Sequence, residues 1–197
     1  MRARQMGLDS WIVDGLGSQS SAFLALAMQE KFPDLEFTPA FSSIGVRGTA
    51  ESPLTLFSGV EPLAGAGRRH EIPVCLELGL DPHEHAASLF AVDLTVVALG
   101  FQPGFPYLSG LAPELCGIPR RPEPRPRLPR GSVAIAMDMA GIYPAELPGG
   151  WTVLGRTPLT ICEAGSDFFP IRAGDTVRFV RISEAEFAAK EGQRLAD

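Results

Sequence analysis

Cysteine is scarce in this chain, and the few present do not pair up. Cys75, Cys116 and Cys162 are odd in number and far apart, which fits neither a disulfide framework nor the close spacing of a metal-binding pair. Their neighbours are largely apolar, so they read as reduced thiols in or near a core, and the expected setting is the cytoplasm. Long apolar runs are missing as well. The longest, such as Leu94-Thr95-Val96-Val97-Ala98-Leu99, fall far short of the roughly 20 residues that a membrane helix needs. Met1-Arg2-Ala3-Arg4 leads into polar residues, so no signal peptide is expected. There is no excess of positive charge: the net charge of −6 argues against general nucleic-acid binding. Neither a Walker phosphate loop nor a GxSxG elbow occurs.

Glycine and proline, in contrast, are plentiful. With Gly 21 and Pro 18 in 197 residues and an apolar content of 45%, the composition excludes disorder and predicts a β-rich fold with many tight turns. The first third reads as a small α+β unit. Ser10 to Leu16 is expected as a strand ending at Gly15 and Gly17. Ser20 or Ser21 then caps a helix whose Phe23, Leu24, Ala27 and Met28 share a face, and Pro33 stops it. Leu35 to Thr38 and Phe41 to Arg47 read as strands, and Ser52 to Leu63 as a second helix. Ala64-Gly65-Ala66-Gly67 reads as a linker, dividing the chain into residues 1–66 and 67–197.

Beyond the linker, short apolar segments recur between turns: Glu71 to Leu76, Leu94 to Leu99, Ser132 to Ala136, Trp151 to Leu154, Leu159 to Cys162 and Thr176 to Ile182. That density predicts a barrel or sandwich. One short helix is expected at Pro82 to Phe90, and Glu184 to Arg194 reads as a polar, frayed helix.

Three loops stand out as candidates for chemistry. Gly100-Phe101-Gln102-Pro103-Gly104-Phe105-Pro106-Tyr107-Leu108 follows an apolar strand and alternates aromatics with backbone-fixing residues. It is either a rigid wall for a small-molecule pocket or a plain turn packed on the core. The run Pro119 to Arg130, dominated by arginine and proline, is held extended by its prolines. Its guanidinium groups suit carboxylates and phosphates, or it is a solvated loop. Gly141-Ile142-Tyr143-Pro144 and Pro148-Gly149-Gly150-Trp151 bracket the third, with Gly155-Arg156-Thr157-Pro158 just beyond. There Arg156 either holds an anionic group or ties loops together through backbone carbonyls. Asp81-Pro82-His83-Glu84-His85 looks metal-like, but two histidines two residues apart on a helix face opposite ways, so no metal site is expected.

Taken in order, Gly100 to Leu108, Pro119 to Arg121, Gly131 to Ala136, Gly141 to Pro144, Pro148 to Trp151, Gly155 to Leu159 and Gly174 to Phe179 resemble the signature of the 5-oxoprolinase B-subunit family. That family is also known as allophanate hydrolase subunit 1 and includes the KipI inhibitor of a sporulation histidine kinase. The resemblance implies an α+β N-terminal domain followed by a mostly-β cyclophilin-like barrel. It also implies a C-subunit-like partner, together with an A-subunit-like one, and ATP-dependent cleavage of 5-oxoproline or a related small amide. On that basis Arg156, Arg120 and Arg121 are expected as anion-holding catalytic residues, with Phe101, Phe105, Tyr107, Tyr143 and Trp151 lining the substrate pocket. The chain also departs from the family it resembles, which usually has small residues followed by Gln-Thr where Met137-Asp138-Met139-Ala140 stands here. Three readings follow: an enzyme subunit, a KipI-like protein that docks on a sensor histidine kinase, or a catalytically silent structural partner.

Overall fold

The structure is a computed structural model that describes residues 1–16, 18–40, 43–57, 67–163 and 165–196, with backbone alone for 18–20. Its first part is a four-stranded sheet. The strands are β1 (Arg2–Gln5), β2 (Ser10–Asp14), β3 (Glu36–Ala40) and β4 (Ser43–Arg47), in the order β1-β2-β4-β3 and antiparallel throughout. Helix α1 (Ser18–Lys31) lies between β2 and β3 in sequence. Leu24, Ala25 and Met28 pack with Val13, Phe37, Ile44 and Val46 of the sheet. Ala22 and Leu26 look the other way, toward Leu99 and Arg172. The helix is therefore apolar on two sides because it is wedged between sheet and barrel. Strand β1 is polar and exposed, so it carried no hydrophobic signal. The helix expected at Ser52 to Leu63 is a short 3₁₀ turn, Pro53–Phe57, and its remainder lies outside the described residues, as do Gly17, Phe41 and the proposed linker residues Ala64 to Ala66.

The second part contains β5 (Arg69–Val74), β6 (Asp93–Leu99), β7 (Pro106–Ser109), β8 (Arg125–Leu128), β9 (Ser132–Ala136), β10 (Met139–Ile142), β11 (Leu147–Gly149), β12 (Thr152–Arg156) and β13 (Thr176–Arg181). Seven of these form one sheet in the order β12-β9-β10-β7-β6-β13-β5, and β8 pairs with β11. The two ends of the large sheet are drawn together where Cys75 and Arg156 exchange backbone N–H···O bonds, both 2.9 Å. Gly155 permits this seam, since a Cβ there would sit 2.8 Å from the Cys75 carbonyl oxygen. The parallel pair β5–β13 starts at a buried His70–Asp175 contact of 2.8 Å. Asp175 also accepts the backbone N–H groups of Arg68 and Arg172, so a turn residue doubles as a buried clamp.

Alternation decides which side of the barrel wall each residue serves. In β9, Val133 and Ile135 join Leu94, Val96, Leu108, Ile142, Leu154, Val177 and Phe179 in the interior, each such side chain contributing about 1.5–3 kcal/mol by leaving water. Ala134 and Ala136 belong to a separate cluster on the outer face.

Two expected elements differ. Pro82 to Phe90 has only a 3₁₀ turn at Ala86–Phe90, and Leu159 to Cys162 is no strand, making a single bridge from Thr160 to Arg194. The carboxy-terminal segment is not frayed. Helix α2 (Glu184–Lys190) starts with a Ser183/Glu186 capping box, and Phe187 is buried with Cys75 and Ile182 over the seam. Leu195 reaches the barrel core. Among the described residues no helix is long and apolar enough to cross a membrane.

Candidate functional site

Across the outer face of the barrel, Tyr107 on β7, Gly141 on β10, Ala134 on β9 and Val153 on β12 stand in one register row. Its two middle positions are minimal, and that leaves room for a ring. Phe105 fills it: a Cβ at Gly141 would lie 2.5 Å from Phe105 Cζ. Around Phe105 stand Tyr107, Tyr143, Phe101 and Trp151, with ring centroids 5.0, 5.2, 5.6 and 5.7 Å away and all edge-on, the geometry that aromatic quadrupoles prefer.

The Gly100 to Phe105 loop is shaped by its backbone. Phe101 takes a left-handed conformation (φ 65°), uncommon for a non-glycine residue. Gly104 is left-handed too, and a Cβ there would collide with Cys162 Sγ at 2.3 Å. Gly100 N–H to Phe105 O and Phe105 N–H to Gln102 O close the loop, and Phe101 stays 57% exposed at its tip.

These rings, with Arg120, Arg121, Pro124 and the Pro148 to Gly150 backbone, enclose a cavity of about 320 Å³. The structure thus brings together Phe101, Phe105, Tyr107, Tyr143, Trp151, Arg120 and Arg121. It does not bring Arg156, which sits at the seam instead. There its Nε donates to the Arg130 carbonyl at 2.9 Å, its Nη2 lies 3.5 Å from Glu191 and its guanidinium covers Phe187 at 5.1 Å. These contacts are those of an arginine that ties loops together, the second of the two roles expected for it, with Nε held by a carbonyl and Nη2 near a carboxylate.

The arginine run is wired, too. Arg125 and Arg121 both donate to Asp81 Oδ1, at 2.6 and 3.2 Å, while Asp81 Oδ2 accepts the Val153 N–H at 2.8 Å. Arg127 pairs with Glu146 and Arg130 with Thr160. The Arg121 N–H donates to the Gly150 carbonyl at 2.7 Å, fastening this run to the Trp151 loop. Arg120 differs: its guanidinium lies 5.7 Å from the Trp151 ring, and among the described residues it forms no ion pair. Burial pushes the Asp81 carboxyl up, but Arg125, the Val153 N–H and Arg121 outweigh it and hold the group below its ordinary value. Burial pushes the Tyr143 phenol up to about 12 against the pull of Arg120, so it is a protonated donor at neutral pH.

Asp81 was missed as a site residue because its partners lie 40 and 44 residues further on; the segment Asp81 to His85 drew notice only for its metal-like composition. Of the Gln-Thr replacements, Met139 packs against the aromatic cluster whereas Ala140 faces the barrel core, so one position, not two, touches the site. His83 and His85 keep their rings 5.9 Å apart, and among the described residues no three His, Cys, Asp or Glu side chains gather as a metal set.

Residues 62–168, which contain every residue lining the cavity, match the family described as the carboxyltransferase domain, subdomain C and D. The chain is 42% identical over 135 residues to the 5-oxoprolinase B subunit of Bacillus subtilis, covering 60% of this chain and 55% of that protein. It therefore spans about half the length of that relative. The crystal structure of TTHA0988 superposes with a TM-score of 0.74 at 32% identity, over 88% of this chain and 40% of that one. Urea carboxylase of Kluyveromyces lactis shares the fold with a TM-score of 0.69 at 14% identity, over 98% of this chain and 23% of that one.

Proposed function

We propose that this chain, which belongs to the carboxyltransferase subdomain C and D family, is one subunit of an ATP-dependent hydrolase of the 5-oxoprolinase type. It acts with a C-subunit-like partner and an A-subunit-like one, and its cavity takes the small lactam or amide. The observation that carries this reading is the aromatic cavity of about 320 Å³ with a guanidinium at its rim that forms no ion pair among the described residues. A five-membered lactam acid offers flat faces to such walls and a carboxylate to Arg120. The name of the 42% identical relative supports the same substrate class, and its designation as a subunit supports assembly with partners.

Hydrolysis places the oxygen of water on the amide carbon and releases the nitrogen as an amine, and negative charge grows on the carbonyl oxygen meanwhile. Aimed hydrogen-bond donors and cations favour that charge. Of the two rim arginines one already serves Asp81, which leaves Arg120 for the ligand. In this reading the complex binds ATP, and this chain's work is to bind and orient the amide.

The test is to co-express this chain with C-subunit-like and A-subunit-like proteins of the same genome and measure ATP-dependent glutamate formation from 5-oxoproline. Turnover that requires this chain supports the reading; turnover indifferent to its omission overturns it. One observation favours a second reading, a catalytically silent structural partner: Met139 adds apolar surface to the aromatic cluster where the family it resembles usually has a polar residue. In that case the complex assembles and 5-oxoproline does not bind.

A further inference from the structure

Tyr143 combines two properties that rarely meet. Its side chain is almost wholly buried, 2% exposed, in the aromatic cluster beside Phe105. Buried phenols usually find a hydrogen-bond partner, yet this one has none among the described residues. Its oxygen is not sealed in either. Among the described residues, Arg125 Nη1 is the one buried side-chain nitrogen or oxygen without a partner, so the Tyr143 hydroxyl keeps some solvent access, and Tyr143 lines the cavity.

The surroundings hold that hydroxyl in place. Phe105 packs edge-on against the ring at 5.2 Å and 86°. Gly149 lies against the oxygen so closely that a Cβ there would come within 2.2 Å of it and 2.7 Å of Leu128 Cδ1. The glycine of the Pro148-Gly149-Gly150-Trp151 motif thus makes space for a phenol rather than for a bend. What results is a rigid neutral donor on one side of the cavity and a cation, Arg120, on another.

We propose that the Tyr143 hydroxyl is the hydrogen-bond donor to the amide carbonyl oxygen of the bound molecule, while Arg120 takes its anionic group. This rests on the reading of the cavity as a small-amide site and deepens it. A neutral donor meets a neutral carbonyl without confining an extra charge in an apolar cavity, and it strengthens its bond as the oxygen gains negative charge. A site built around such a donor rejects analogues that lack the acceptor.

The experiment compares the full chain, alone and co-expressed with a C-subunit-like partner, with its Tyr143→Phe variant by calorimetric titration of three compounds. These are 5-oxoproline, 2-pyrrolidinone (the lactam without the acid) and proline (the acid without the carbonyl). Thermal melts confirm that both proteins fold. Tyr143→Phe is expected to weaken 5-oxoproline and 2-pyrrolidinone about tenfold and to leave proline unchanged, a selectivity that looser packing would not produce. Equal loss for all three, or no loss for any, overturns the role of Tyr143 while the small-amide reading stands. If 2-pyrrolidinone binds the native chain and loses affinity in Tyr143→Phe, but 5-oxoproline does not bind, Tyr143 keeps its role and the lactam-acid reading falls. If neither lactam binds the native chain, both fall.

Discussion

Arg120 at the rim of the cavity comes from a run of arginine and proline, and Arg156 at the seam of the barrel from a motif with glycine and proline; sequence alone treats them alike. Their surroundings set them apart. Arg156 donates to a backbone carbonyl, lies near Glu191 and covers Phe187, all within the strap that closes the sheet. Arg120 lies by the face of Trp151 and, among the described residues, forms no ion pair. The same contrast separates the regions around them: the seam spends its polar groups on itself, whereas the cavity keeps a guanidinium and a phenol available. An arginine in a motif says little about ligands until its donors have been counted.

The largest expected effect tests whether the cavity is self-supporting. Phe105 is 2% exposed and central to the cluster, so Phe105→Ala should cost about 3–5 kcal/mol in urea unfolding and remove ligand binding with it. A loss below about 1 kcal/mol would mean that loops, not rings, shape the cavity. Next comes the seam. Arg156→Ala deletes the bond to the Arg130 carbonyl and the cover over Phe187, and should cost about 2 kcal/mol of stability, with the exposed Glu191 contact adding little. Binding of 5-oxoproline should be unaffected. Lost turnover with unchanged stability would give Arg156 a catalytic role and erase the contrast with Arg120.

How much of this was readable beforehand follows from which interactions are local. The division into an α+β part and a barrel part was visible because turn residues and apolar segments are local signals; the aromatic loops stood out by composition, but their reading as pocket walls came from the family resemblance. Strands β7, β10 and β11 were hidden because proline and glycine occupy them for tertiary reasons. Gly141 admits Phe105, and Gly149 admits the Tyr143 hydroxyl. Alternation of large and small apolar residues in Ser132 to Ala136 held the clue that both faces are covered, but period-two reasoning looks for polar against apolar and passes over it. The seam, the Asp81 clamp and the fate of each arginine depend on contacts between distant segments, and no local pattern encodes them.

Returning to the cavity, Arg120→Ala should leave stability within about 1 kcal/mol and weaken an anionic ligand about tenfold, or ~1.4 kcal/mol. Arg121→Ala should weaken it less, since Asp81 already occupies that guanidinium. Equal losses would show that the Asp81 contact yields to the ligand and that both cations serve the cavity, a sharper version of the same contrast.

Asp81→Asn has the smallest expected effect and reaches furthest into the argument. The amide can still accept the Val153 N–H, so the variant removes charge rather than shape. In the native chain, burial raises the carboxyl but Arg125, the Val153 N–H and Arg121 prevail and lower it. A carboxylate depressed on folding contributes fully above its unfolded value, near ~3.9, and loses that contribution as pH falls through the lower folded value. Asp81→Asn should therefore cost about 1 kcal/mol in urea unfolding at neutral pH, and the gap should narrow at about pH 3. A cost that is the same at both values would show that shape, not charge, anchors the arginine run. With the charge gone, Arg121 joins Arg120 as an unengaged cation, so an anionic ligand should bind more tightly to Asp81→Asn than to the native chain. The cavity would then differ from the seam by two free guanidinium groups, not one.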